Sequence, residues 1–396
     1  MKTPAPIAAA LVLLFTVSGR CGTQEPDRLI VTGAAQNKLI PISLGGFNGV
    51  AYDVLKFDLE VAGCKVVSSN NAAYHVFGSN DTTLKGYLTV AGGTNAAAAG
   101  AAPLLAMHVT GAPMRALAHA FSDGVVAKFG RRGVAQTRIA FKATFRGYSE
   151  AFISDYDGAN AVQVTRYGKI LAVPAWSPDH STLYYMSHLK HDFPFLYGHR
   201  LATGNRFTIA EYPGSCMSPA VARDGRVAMV LSKGGSPEVY VADATGRSPR
   251  QITFTREGAS APCWSPDGQW ICYASREAGP ARLYKVPASG GPAQPIATID
   301  APNSTEPDWS PDGKTIVFTS QNRGFKIFTV PATGGQAEYL CEGEDPSWAP
   351  NSRTVMFVKR RDSDQSYSLA LIDVPTKQVK DIPVNLGNAS QPAWAR

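Results

Sequence analysis

The sequence predicts a mainly β protein: a six-bladed β-propeller closed by its C-terminal strand and preceded by a small α/β domain. Three observations predict it: a phrase that recurs at blade spacing, a set of outer strands with no inner strand before them, and a lone inner strand at the end. The phrase reads PAWSPDHSTLYYMS from 174, PAVARDGRVAMVLS from 219, PCWSPDGQWICYAS from 262, PDWSPDGKTIVFTS from 307 and PSWAPNSRTVMFVK from 346, with QPAWAR at the end. Its anchors Trp176, Val221, Trp264, Trp309, Trp348 and Trp394 lie 45, 43, 45, 39 and 46 residues apart, the length of a four-stranded blade.

Composition agrees. With 396 residues, 44% hydrophobic and 17% charged, the chain buries a large core, and its 37 glycines and 28 prolines call for many tight turns. Lysine and arginine exceed aspartate and glutamate by 38 to 31 without a run of like charges, so nucleic-acid binding is not implied.

The first element is an export signal over 1–20. Lys2, the apolar Ile7 to Val17 core and the small Val17-Ser18-Gly19 stretch follow in signal-peptide order. That core falls far short of the roughly 20 residues a spanning helix needs, so no membrane span is expected. A lipoprotein reading would acylate Cys21, but Arg20 stands where a small residue is required. The other cysteines, Cys64, Cys216, Cys263, Cys272 and Cys341, have irregular spacing and no C-x-x-C pair, which leaves neither a metal motif nor a disulfide framework.

The α/β domain is placed at 27–134. Val50, Val54, Phe57 and Val61, widened by Leu55 and Leu59, mark a helix that Gly63 stops. Strands are expected at Arg28 to Thr32, Leu39 to Leu44 and Lys65 to Ser68. After an Ala/Gly-rich loop at 91–103, a second helix runs from about Pro113 to Phe129, with Asp123-Gly124 unfavourable in its middle.

The propeller is placed at 136–396. Each repeat reads as an inner strand, a Ser-Pro-Asp-Gly turn in which the Asp caps its own turn, a second strand such as Thr315 to Thr319, a third such as Phe325 to Val330, and a fourth such as Ala337 to Leu340. TRIAFKATFRG from 137 and EAFISDYDGANAVQVT from 150 supply outer strands that Ala393-Trp394 completes, which makes the sixth blade and removes two free edges. Within one hairpin, Pro266 and Gly268 favour a three-residue bulged loop that sets Cys263 opposite Ile271, so no 263–272 bridge is expected.

Catalytic motifs are sparse. Gly147-Tyr148-Ser149-Glu150-Ala151 lacks the last glycine of a nucleophile elbow, which disfavours serine hydrolysis. His188, His191 and His199, with Asp192, cluster in sequence but match no local zinc signature, and a solvated loop is the competing reading. No cofactor or metal is expected.

Taken in order, the export signal, the α/β domain and the P-x-W-S-P-D-G repeats resemble the TolB family, the periplasmic propellers of the Tol-Pal system, nearly end to end. The stretches that carry the resemblance include RLIVTGAAQNKLIPISL, FDLEVAGCKVV, TRIAFKATF, SDYDGANAVQVT, STEPDWSPDGKTIVFTS and FKIFTVPATGG. The resemblance implies a non-enzymatic, monomeric periplasmic adaptor. It would bind the lipoprotein Pal at the propeller mouth and TolA through the N-terminal segment Arg28, Leu29, Ile30 and Val31, serving outer-membrane integrity and invagination at division. Two departures stand out: Val221-Ala222-Arg223 replaces the aromatic-Ser-Pro of blade two, and Thr-Gly-Ala-Ala stands where an acidic residue is usual.

Residues just before each inner strand end the crossing between blades and should ring the channel, which places the candidate rim. Blades two and three give Ser215, Met217 and Ser260, and blade four gives Ser304, Thr305 and Glu306. Glu344, Asp345 and Gln391 complete it. Pro307 is expected to hold Glu306 extended. The alternative function is an exported propeller enzyme, a polysaccharide lyase or hydrolase, which would require polar groups converging at one point.

Overall fold

A computed structural model describes residues 37–91, 102–190, 193–361, 366–384 and 386–396. The expected signal peptide, Cys21, the strand at Arg28 to Thr32, His191 and Asp192 lie outside the described residues. The chain divides into two compact units, a smaller one ending at Gln136, to which Ile372–Lys380 is also assigned, and a larger one from Thr137.

The smaller unit carries one five-stranded sheet in the order β2-β1-β3-β4-β5, with β1 at Ile40–Gly45, β2 at Cys64–Val66, β3 at Tyr74–Asn80, β4 at Leu84–Val90 and β5 at Leu105–Val109. β1 pairs parallel with β2 and β3, and the remaining pairs are antiparallel. Helix α1 (Gly49–Val61) buries Ala51, Val54, Leu55 and Leu59, whereas Val50 is exposed, so the buried stripe is shifted from the one its spacing predicts. Gly63, at φ +81°, ends the turn by donating its N–H to Glu60 O at 3.1 Å. Helix α2 (Met114–Lys128) runs unbroken through Asp123-Gly124. A Cβ at Gly124 would come within 2.5 Å of Met107 Sδ on β5, so glycine admits the sheet's side chain there at a cost of about 1 kcal/mol in helix propensity.

Among the described residues, the larger unit carries six four-stranded antiparallel sheets and one small parallel pair, Thr298–Ile299 with Gly335–Gln336. Blade 1 comprises Leu171–Trp176, Thr182–Ser187, Phe195–Arg200 and Arg206–Ala210, and four more blades repeat that order to Asp381. The closing blade joins Asn388–Trp394 to Arg138–Thr144, Ser149–Asp155 and Val162–Gln163, with Trp394 opposite Ile139, as the unmatched strands predict. Trp394 is 3% exposed, its indole N–H donates to Thr137 Oγ1 at 2.7 Å, and its ring stacks on Tyr156 at 6.1 Å.

Two of the repeat's tryptophans also tie neighbouring blades together. Trp176 Nε1–H donates to Ala393 O at 3.1 Å and Trp264 Nε1–H to Ala220 O at 3.0 Å, each in the preceding blade. The turn aspartates act locally, as expected: Asp267 accepts the Ser265 hydroxyl and the Gln269 N–H, and Asp312 accepts the Ser310 hydroxyl and the Lys314 N–H. One hairpin departs from expectation. Ser265 N–H donates to Trp270 O, which closes a four-residue loop over Pro266–Gln269 and sets Cys263 opposite Cys272 rather than Ile271. An even loop length restores the register that a two-residue turn would have given.

Candidate functional site: the propeller channel mouth

Every inner strand contains the same irregularity. Two residues, X-Pro, oppose a single residue on the second strand: 173–174 face Tyr185, 218–219 Met229, 261–262 Tyr273, 306–307 Phe318, 345–346 Phe357 and 391–392 Phe141. The opposing residues are large and at most 2% exposed. Proline has no N–H to give the ladder, so it sits where a bulge leaves a residue unpaired. The residue before it pays in backbone conformation: Val173, Ser218, Ala261, Glu306, Asp345 and Gln391 all have φ between 47° and 52°. A left-handed backbone costs a non-glycine residue about 1–2 kcal/mol. Glu306 is therefore not extended. The clash before proline that disfavours a right-handed backbone leaves the left-handed one open, and the bulge selects it.

These residues border a channel of about 510 Å³. Of the rim expected from sequence, Ser260, Thr305, Glu306, Asp345 and Gln391 line it; Ser215, Met217, Ser304 and Glu344 do not. Met217 and Glu344 lie in ladder pairs, as Ser260 and Thr305 do, so pairing alone does not decide which of these positions reaches the channel. Ser304 is fully buried and donates its hydroxyl to Ala301 O at 2.7 Å. Residues missed from sequence include Ser218, Ala261 and Val173. The signal that finds them is the X-Pro recurring at the head of each inner strand.

Side chains at the bulges reach from blade to blade. Glu306 Oε2 accepts the Thr319 hydroxyl at 2.7 Å and the Asp345 N–H at 3.1 Å. Asp345 Oδ2 accepts the Gln391 N–H at 3.2 Å, and Gln391 Oε1 accepts the Val173 N–H at 2.9 Å. The relay thus spans blades 4, 5, the closing blade and blade 1; Val173 and Ala261 carry no side-chain acceptor and interrupt it. Burial pushes the Asp345 carboxyl up to about 8, aided by Glu306 and Glu344 and opposed by Lys142. Glu344 is likewise raised, by burial and then Glu306. Deeper in, Asp308 accepts the Trp348 N–H at 2.8 Å and forms a two-pronged ion pair with Arg396, Nη2–Oδ1 2.5 Å and Nη1–Oδ2 2.8 Å.

Among the described residues, no histidine lines this channel. His199 lies in the third strand of blade 1, buried, with Tyr167 Oη 3.5 Å from its Nδ1, and burial followed by Arg206 lowers its pKa.

Known proteins bear on this architecture. A solved structure of TolB from Acinetobacter baumannii superimposes with a TM-score of 0.79 over 90% of this chain and 97% of that one, at 21% identity. A chain of a solved nidogen/laminin complex reaches 0.54 over 66% of this chain and 98% of that one at 12% identity, a likeness of fold alone. By sequence, a TolB homolog of Chlorobium chlorochromatii (strain CaD3) is 33% identical over 171 residues, 42% of this chain and 38% of that protein. The Tol-Pal system protein TolB of Bordetella pertussis (strain Tohama I) is 30% identical over 183 residues, 46% of this chain and 42% of that one. The chain thus spans about two fifths of the length of the curated relatives it matches. The family model described as the TolB beta propeller domain matches residues 128–396, and the chain belongs to the TolB propeller family.

Proposed function

We propose that the protein is a non-enzymatic periplasmic adaptor of the Tol-Pal system, exported by a cleaved signal peptide at 1–20. It holds a Pal-type outer-membrane lipoprotein at the channel mouth and contacts TolA through Arg28, Leu29, Ile30 and Val31, in the service of outer-membrane integrity and division. The observation that carries this reading is the relay: Glu306, Asp345 and Gln391 spend their acceptors on neighbouring blades, which fixes a shaped rim in place of groups poised on a reacting atom. The domain limits that go with it are 27–134 for the α/β part and 136–396 for the propeller.

The test is titration calorimetry of a Pal-type periplasmic domain against the whole chain and Glu306→Gln, which keeps an acceptor for Thr319 and Asp345 but removes the charge. Binding weakened about tenfold, roughly 1.4 kcal/mol, is expected. Equal affinity would take Glu306 out of the interface, and no binding by the unsubstituted chain would refute the adaptor reading.

A further inference from the structure

We infer that Cys263 and Cys272 are a redox-modifiable pair that closes to a disulfide within blade 3. The two residues face each other across the first two strands of the blade. They lie two ladder steps from the Ser265–Trp270 pair, whose N–H···O bond measures 2.9 Å, and so occupy the next hydrogen-bonded position. Cα atoms at such a position are about 5.5 Å apart, within the range that a disulfide spans, and the Cβ atoms, about 5 Å apart, must draw in to about 4 Å, which the twist of a short hairpin takes up. Both side chains leave the same face of the sheet and pack into one cluster with Trp309 and Phe318 of the next blade.

Both residues are thiols in the structure. Cys263 is 6% exposed and Cys272 fully buried, so the folded pair is shielded from a bulky oxidant. Burial, then the neighbouring thiol, pushes the Cys263 pKa well above its ordinary value, which keeps the nucleophilic thiolate scarce. The bond therefore forms while the hairpin is assembled but Trp309 has not yet covered it. The short loop Pro266–Gln269 makes that hairpin a local structure, which brings the sulfurs together early.

The oxidant is a disulfide, either a small molecule or an oxidised dithiol protein. One cysteine thiolate attacks a donor sulfur, which forms a mixed disulfide and expels one donor thiolate. The second cysteine thiolate then attacks the protein sulfur of that mixed disulfide and expels the other donor thiolate. Two electrons pass to the donor, and the two protons shed by the cysteines end on its thiols.

The experiment refolds the full chain from denaturant in a mixture of reduced and oxidised glutathione, blocks free thiols with an alkylating reagent and digests with trypsin. No Lys or Arg separates Cys263 from Cys272, so one peptide, 257–276, carries both. It should appear unalkylated and lighter by two hydrogens, while Cys64, Cys216 and Cys341 take the reagent. Alkylation of both, or attachment of either to glutathione or another cysteine, would overturn the pairing.

Discussion

Replacing Asp345 with asparagine isolates the electrostatic cost of the channel mouth. The carboxyl is pushed from 3.8 to about 8, first by burial and then by Glu306 and Glu344, against the attraction of Lys142. The folded chain therefore holds this proton when the unfolded chain has released it. As pH rises from about 4 to about 8, stability falls, and above 8 the full penalty applies. Roughly four pH units at about 1.4 kcal/mol each set an upper bound near 6 kcal/mol. Asp345 is only half-buried and Glu306 shares the field, so water and mutual adjustment reduce this, and we expect about 2 kcal/mol. Asp345→Asn removes the charge and retains an oxygen for the Gln391 N–H, now at 3.2 Å. Urea unfolding of the full chain, followed by tryptophan fluorescence at pH 5, 7 and 9, should show the variant close to the parent at pH 5 and about 2 kcal/mol more stable at pH 9. A difference that stays the same across the three pH values would refute the reasoning, because it would place the effect in packing or hydrogen bonding and not in titration.

Three further outcomes are expected. Ala261→Gly, at φ +47°, should raise the urea midpoint by an amount equivalent to about 1 kcal/mol, since glycine bears no penalty for a left-handed backbone; a lowered midpoint would show that the methyl group matters more than the strain. Trp394→Ala should cost about 3–5 kcal/mol, read by thermal melting, because it empties the closing blade's buried indole site, and an unchanged melting curve would sink the closure argument. Trp176→Phe should cost about 1 kcal/mol by losing the bond to Ala393 O and leaving that carbonyl without the indole donor; no change in melting would mean that water replaces it fully.

The blade count and closure were legible because each rested on a period: the tryptophans recur, and Trp394 has no use except in pairing with the strand from 138. The turn aspartates were legible for the same reason. Loop length was not. Pro266 and Gly268 are compatible with both an odd and an even loop, and only the Ser265–Trp270 pair decides between them. The channel rim was half legible: crossing loops do lead to the mouth, but a strand's first residue depends on ladder bonds that composition does not reveal, and so Ser304 turned inward. The bulges were written in plain sight as X-Pro. Reading proline as a constraint on its predecessor's ψ obscured what it does to the ladder, where a missing donor forces an extra residue and reverses the sign of φ at Glu306.

The closing blade also determines how the propeller bears a load. The chain enters the larger unit at Thr137 and runs at once into Arg138–Thr144, which is bonded on one side to Asn388–Trp394 and on the other to Ser149–Asp155. A load directed along that strand is shared by both ladders, which resist it together in shear. A ring closed in this way opens only when many bonds yield at once, which makes its lifetime under pull a matter of the unfolding barrier and not of equilibrium stability. The seam that closes the ring is thus also its mechanical anchor.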